Sequence, residues 1–213
     1  MRNLLVCAAV ESELEALPPP SRPDDRVEVE GCLVHAAAVG VGPVEAALGT
    51  AALLREPFDA AILVGTCGAF AGSGLAIGAV SLVERALLTS SDAAAGLAYV
   101  PAPAAGACLA DPRLVEEIRT RLGLAPATCA TVVAITKDGD RAAALAAEAD
   151  AAVEHMEAYG FLRAAARAGV PAACLLGVAN EVGPEGHEQW KRHAATAGAA
   201  AIEALRALLR SLR

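Results

Sequence analysis

Aromatic residues are nearly missing from this chain. One Trp, two Tyr and three Phe make up 3% of 213 residues, too few for the stacking platforms that hold single-stranded nucleic acid. Positive charge is also short. Seventeen Lys and Arg stand against 25 Asp and Glu, the net charge is −8, and there is no basic run, so a nucleic-acid backbone is not the expected partner. The six cysteines (Cys7, Cys32, Cys67, Cys108, Cys129 and Cys174) are scattered and form no C-x-x-C pair. That argues against a zinc site or a disulfide framework and for buried free thiols in a cytoplasmic protein. Neither a G-x-G-x-x-G fingerprint nor a Walker A loop occurs, and the turn Gly40-Val41-Gly42-Pro43 is not one of them. The first residues, MRNLLVCAAVESELEAL, meet acid by Glu11, so no signal-peptide h-region of proper length is expected. The longest uncharged stretch, Ala60 to Val83, could span a bilayer by length, but Gly65, Gly68, Gly72, Gly74 and Gly78 interrupt it. It reads as a buried strand, a glycine loop and a second strand, and no membrane partner is expected.

What is present can build a core. Hydrophobic residues make up 55% and charged residues 20%, with a mean hydropathy of +0.46 that owes much to alanine. The length fits one domain over residues 1–213. Apolar runs of strand length fall at Arg2 to Ala9, Ala60 to Thr66, Ala79 to Leu88 and Ala172 to Ala179, with a β-branched run at Thr131 to Ile135. Arg26 to Val39 reads as a hairpin turning at Gly31. Helices are expected from Pro43 at a first turn through Arg55, with Val44, Ala47, Leu48 and Ala51 on one face, and from Asp111-Pro112 to Gly123. Others are expected from Asp138 through Glu148, from Glu157 to Ala168, and at the end, where Ile202, Leu205, Leu209 and Leu212 recur at helical spacing. Thr89 to Gly106, small and proline-bearing, is the expected mobile loop. Strands alternating with helices make an α/β layered domain.

In such domains ligands gather at the carboxyl ends of strands. Four ends carry chemistry: Glu11-Ser12-Glu13, Gly65-Thr66-Cys67-Gly68, Met156-Glu157 within VEHME, and Asn180 at the end of AACLLGVAN. Each has an ordinary reading by itself. Glu11 and Glu13 can simply favour a helix N-terminus, and Gly65 to Gly68 can be a tight turn. His155 reads as a satisfied core histidine, Trp190 as packing, and Lys137, Asp138 and Asp140 as a solvated, capped helix start.

Taken in order, the four segments resemble the purine nucleoside phosphorylase and nucleosidase superfamily over nearly the whole chain. AAVESELEAL is similar to the opening of methylthioadenosine/S-adenosylhomocysteine nucleosidases, VGVGPVEAALGTAAL to the family's glycine turn and helix, LVGTCGAF to its ribose-side loop, and VEHMEAYG to its ribose-binding motif. The resemblance implies a three-layer α/β/α domain with a central mixed, partly barrel-like sheet. It implies Glu13 as general base, Glu157 on the ribose hydroxyls, Met156 packed on the sugar, and Thr66, Cys67 and Gly68 orienting water or ribose. No metal or organic cofactor is required in the family, and a homo-oligomer, dimer or larger, is the expected assembly.

Two departures narrow it. Adenine-releasing members end the later strand in Ser-Asp, whereas this chain has Ala179-Asn180, and GVANEVGPEGHEQWKRH resembles the futalosine hydrolase branch, which releases hypoxanthine on a menaquinone route. An amide donates and accepts while an ionised aspartate only accepts, so Asn180 can serve N7 or O6 of a 6-oxopurine. The second departure is the approach Ala61-Ile62-Leu63-Val64, which carries none of the positive charge that similar phosphorylases place before the loop to hold phosphate. The expected function is hydrolysis of the N-glycosidic bond of futalosine. The alternatives are an adenine-releasing methylthioadenosine/S-adenosylhomocysteine or aminodeoxyfutalosine nucleosidase, a purine nucleoside phosphorylase, and a nucleoside-binding protein without turnover.

Overall fold

The computed structural model describes residues 2–19, 25–102 and 106–212. The chain begins with β1 (Asn3–Ala8), whose five buried residues are followed by one 3₁₀ turn, Glu11–Leu14. The helix N-terminus that Glu11 and Glu13 could favour is only this turn. The hairpin forms as read, with β2 (Val27–Val29) and β3 (Cys32–Ala38) antiparallel about Glu30 and Gly31, both at positive φ. Then follow α1 (Pro43–Leu53), β4 (Ala60–Ala69), β5 (Val80–Leu88), the short α2 (Ser91–Ala94), β6 (Ala107–Leu109) and α3 (Pro112–Leu122). The chain continues through β7 (Pro126–Thr131), α4 (Gly139–Ala149), β8 (Val153–His155), α5 (Ala158–Ala168), β9 (Ala172–Glu181) and α6 (Gly186–Arg210).

The strands form one mixed sheet in the order β2-β3-β1-β4-β8-β7-β5-β6, and β9 pairs with both β4 and β5. That last pairing closes β4, β8, β7, β5 and β9 into a five-strand barrel, with β1, β3 and β2 extending as an open wing. The fold is thus α/β with the expected partly barrel-like sheet. β9 explains its own composition: every residue from Ala172 to Asn180 is buried, as in a strand covered on both faces. One cover is α6, which packs along β9 and β4. A Cβ at Gly177 would lie 1.9 Å from the Ala197 carbonyl oxygen, so glycine there lets helix and strand touch. Of the periodic set read from the sequence, Ile202, Leu205 and Leu209 form a buried stripe on α6, and Leu212, past the end of the helix, is partly buried against the same core; each fully buried side chain of this kind contributes about 1.5–3 kcal/mol.

The helix signals hold where their caps are local. Asp111 accepts from the N–H groups of Arg113 and Leu114 at the start of α3, Gly123 ends it in the left-handed conformation, and Asp138 accepts from the Arg141 N–H at the start of α4. Three expectations are corrected. Thr131 to Ile135 is not a strand: β7 ends at Thr131, and Val133 and Ile135 are exposed. Gly65 to Gly68 is no turn but lies inside β4, with a bulge between Cys67 and Gly68. On α1 the small residues Ala46 and Thr50 face inward against the packed α5, and Val44 and Leu48 are exposed. Within Thr89 to Gly106, Ser90 caps α2; residues 103–105 of that expected loop lie outside the described residues.

Among the described residues no helix is long and apolar enough to cross a membrane. All six cysteines are free and buried.

Candidate active site

A cavity of about 650 Å³ opens where β1, β4, β8 and β9 end, and its wall includes all seven residues singled out from the sequence: Glu13, Thr66, Cys67, Gly68, Met156, Glu157 and Asn180. Four segments far apart in the chain meet there because the barrel brings β4, β8 and β9 together and β1 pairs with β4.

Glu13 comes from the 3₁₀ turn after β1. Its Oε2 accepts from the Ala9 N–H at 3.1 Å, and its Oε1 accepts from the Thr66 N–H at 3.0 Å and from the Thr66 hydroxyl at 3.3 Å. The carboxylate crosses to β4 because residue 65 has no side chain; a Cβ on Gly65, whose φ is +151°, would sit 2.9 Å from Glu13 Oε1. A carboxylate offers about four lone-pair sites. Three are used, and one on Oε2 remains for a molecule in the cavity.

Glu157 sits between β8 and α5 and is 4% exposed. Its Oε1 accepts from the Gly42 N–H at 2.7 Å, so the glycine turn before α1 supports it. Its Oε2 lies 3.3 Å from Nε2 of His155, itself buried. His155 Nδ1 accepts from the N–H groups of Glu157 and Ala158, at 3.2 and 3.1 Å. Two donors on Nδ1 place the ring proton on Nε2, where it points at the Glu157 carboxylate. The expected core histidine is satisfied, but its partners are the start of α5 and a carboxylate of the cavity, and it stands on the cavity wall. Each Glu157 oxygen keeps a lone pair, and a pair of vicinal hydroxyls would use both.

Asn180 is 9% exposed and donates from Nδ2 to the Glu181 carbonyl at 2.9 Å. That carbonyl fixes the amide orientation and leaves one N–H and the Oδ1 acceptor. Cys67 is buried, and burial pushes its thiol well above the ordinary range, which removes it as a nucleophile. Its place on the wall is one of packing and backbone.

The wall also holds residues whose place the sequence reading missed: Glu154, Lys137, His187 and Trp190. Trp190 Nε1 donates to the Thr66 hydroxyl at 3.2 Å, so an ordered path runs from indole through Thr66 to Glu13. His187 stacks on Trp190, with ring centroids 6.2 Å apart and planes within 7°. Their signal was legible: at i and i+3 in the first turns of the helix after Asn180, they must share the face beside it. Lys137, read as part of a solvated helix start, stands on the wall, while Asp138 caps α4 as expected.

A sequence profile of the Phosphorylase superfamily matches residues 25–212. The futalosine hydrolase of Thermus thermophilus is 33% identical over 183 residues, covering 82% of this chain and 77% of that protein. The futalosine hydrolase of Streptomyces coelicolor is 32% identical over 210 residues, covering 89% and 88%. Among solved structures, the S-adenosylhomocysteine nucleosidase of Streptococcus pyogenes in complex with 5-methylthiotubericidin superposes with a TM-score of 0.86 at 22% identity, covering 100% of this chain and 98% of that one. The native futalosine hydrolase of Helicobacter pylori superposes with a TM-score of 0.82 at 14% identity, covering 99% and 98%. At those identities the superpositions speak for the fold alone.

Proposed function

This chain belongs to the phosphorylase superfamily and, within it, to the futalosine hydrolase family, and we propose that it cleaves the N-glycosidic bond of futalosine with water, releasing hypoxanthine and dehypoxanthine futalosine. The observation that carries this reading is a cavity in which Glu13 and Glu157, each with a lone pair to spare, share the wall with the Asn180 amide and, among the described residues, with no arginine.

The chemistry follows from that arrangement. Glu157 takes the 2′ and 3′ hydroxyls and fixes the sugar, and Met156 packs on its face. The C1′–N9 bond lengthens toward an oxocarbenium-like sugar. Its electron pair leaves with the purine, whose growing charge meets the free Asn180 N–H. An amide is a poor acid, so the proton that completes hypoxanthine comes from water. Glu13 accepts the proton of the attacking water on its free Oε2 site while the water oxygen bonds to C1′. Thr66 holds Glu13 and is itself held by Trp190. Cys67 and Gly68 contribute wall and backbone.

Further proposals accompany this one. Residues 1–213 act as a single nucleosidase domain, supported by a core cluster shared among β1, β4, β5, β9, α5 and α6. The enzyme works in the cytoplasm on the futalosine route to menaquinone, as a homo-oligomer; the apolar residues Val41, Val44 and Leu48, 55%, 67% and 62% exposed, supply a face for a second copy.

The test is to incubate the protein with futalosine, inosine and methylthioadenosine, with and without phosphate, and identify the released base. Hypoxanthine released from futalosine at a phosphate-independent rate is expected. A phosphate requirement would implicate Lys137 and turn the reading to phosphorolysis; adenine as the preferred product would remove Asn180 from its role. Asn180→Asp is expected to slow hypoxanthine release about ten-fold or more, because a carboxylate facing O6 or N7 sets acceptor against acceptor.

A further inference from the structure

Trp190 is the one tryptophan of the chain, and it stands 44% exposed on the cavity wall. Its Nε1 donates to the Thr66 hydroxyl at 3.2 Å. An indole N–H only donates, and a hydroxyl has one proton and two lone pairs. The indole therefore takes a lone pair of the Thr66 oxygen and leaves the hydroxyl proton to point away from it, where Glu13 Oε1 stands at 3.3 Å. α6 meets Thr66 a second time, two turns further on. A Cβ on Gly198 would lie 3.9 Å from Thr66 Cγ2, so the methyl group faces a helix position without a side chain. A β-branched side chain is stiff at its first torsion, and one helix here addresses both of its branches.

The consequence falls on Glu13. The Thr66 N–H and hydroxyl both lie on Oε1 and the Ala9 N–H lies on Oε2, so a single lone pair of the carboxylate is open. Without the indole N–H nothing turns the hydroxyl toward Glu13. Thr66 is on the cavity wall, and its O–H is free to face a water there instead. Oε1 then gains an open site of its own, and water near the base has two places to bind.

We propose that Trp190 is the positioning residue of the base: its indole N–H turns the Thr66 hydroxyl onto Glu13 and so leaves the attacking water one site, on Oε2. The proposal rests on the function proposed above. Trp190 acts through Thr66 and moves no proton itself. Its loss costs rate and spares sugar binding, which lies with Glu157.

The experiment is steady-state hydrolysis of futalosine by wild type, Trp190→Phe, Thr66→Val and the double variant. Phe keeps an aromatic ring at a partly exposed position and removes the N–H. Val keeps the branch at Cβ and the backbone N–H to Glu13 and removes the hydroxyl. Trp190→Phe alone is expected to lower kcat about five-fold or more, the worth of one hydrogen bond, with KM changed by less than about two-fold. In the Thr66→Val background there is no hydroxyl to orient, so the same change should lower kcat by less than about two-fold. Because Trp190 is the one tryptophan, biosynthetic replacement of tryptophan by β-(3-benzothienyl)alanine exchanges its N–H for sulfur in an otherwise native chain, and should reproduce the fall in kcat without a change of ring shape. If wild type hydrolyses futalosine but the sulfur analogue keeps the wild-type kcat, or Trp190→Phe raises KM and spares kcat, or its cost is the same in both backgrounds, the indole only packs, the proposal is overturned and the proposed function stands. If wild type releases no base from futalosine, the proposed function falls, and this proposal falls with it.

Discussion

Glu13 and Glu157 are carboxylates of the same cavity set in opposite surroundings. Glu157 is almost closed off, at a helix start, with one oxygen on a backbone N–H and the other beside an imidazole N–H. Glu13 is half-buried on a four-residue turn that has no side-chain cap, and it is kept in place by donors from two other segments. The difference suits the roles proposed for the two groups. A group that binds two hydroxyls gains from a fixed geometry and from exclusion of competing water. A group that takes a proton from water needs an open lone pair and water beside it. Fold and sequence provide both from one residue type by changing what stands around it.

The comparison breaks most sharply at Glu13. Glu13→Gln keeps the shape but removes the proton acceptor and turns its NH₂ against the N–H of either Ala9 or Thr66, and turnover of futalosine should fall by roughly 10²–10⁴-fold. Steady-state rates measure this, and near-normal turnover would reduce Glu13 to a charge at a turn. Glu157→Ala should act on both constants, raising KM and lowering kcat, since a charge-assisted bond to each hydroxyl holds ground state and transition state alike. Wild-type kinetics on a ribonucleoside would contradict it. His155→Phe keeps a ring but leaves Glu157 Oε2 without its N–H and two N–H groups of α5 without their acceptor. About a ten-fold loss in kcat/KM is expected, and it should vanish on a 2′,3′-dideoxy substrate that does not use Glu157. An equal loss on both substrates would make His155 a residue of the fold only.

The smallest expected effect is on stability. Burial raises the Glu154 carboxyl above its ordinary range. In the window between that range and the raised value the folded chain holds a proton that the unfolded chain has lost, so stability falls as pH rises through it. Glu154→Gln removes this loss. Thermal melting should show the variant more stable than wild type above the window, by about 2–4 °C for a change of about 1 kcal/mol in a chain of this size, with the two converging at low pH. A variant less stable than wild type at neutral pH would show that the carboxylate is compensated in the folded chain.

The sequence was most legible where a signal is local. Asp111, Gly123 and Asp138 act within one turn of the residues they cap, and the last helix repeats its apolar stripe at one spacing, so these elements fall where expected. The site was legible through side chains that follow strand ends, and all seven singled-out residues stand on one wall. What stayed hidden depends on partners distant in the chain. Gly65 to Gly68 looked like a turn because glycine usually marks one; β9 pairs with all four residues and β8 with Gly68, and this holds them as strand. Val133 and Ile135 have strand propensity, but β7 is spent by Thr131, and they pass into an exposed loop. Val44 and Leu48 suggested the buried face of α1, and close packing on α5 selects the smaller residues instead. His155 was invisible as a residue of the cavity, since the imidazole N–H aimed at Glu157 leaves no mark in spacing.

The division of labour between the two carboxylates is tested most directly by futalosine binding to Glu13→Gln and to Glu157→Gln, measured by calorimetry under conditions where neither turns over appreciably. Glu13→Gln should bind futalosine within a few-fold of the wild-type affinity obtained from pre-steady-state kinetics, since its proposed partner is the attacking water and not the sugar, whereas Glu157→Gln should bind at least ten-fold more weakly. Equal weakening in both variants, or a Glu13→Gln protein that fails to bind, would contradict the assignment of one carboxylate to water and the other to the sugar.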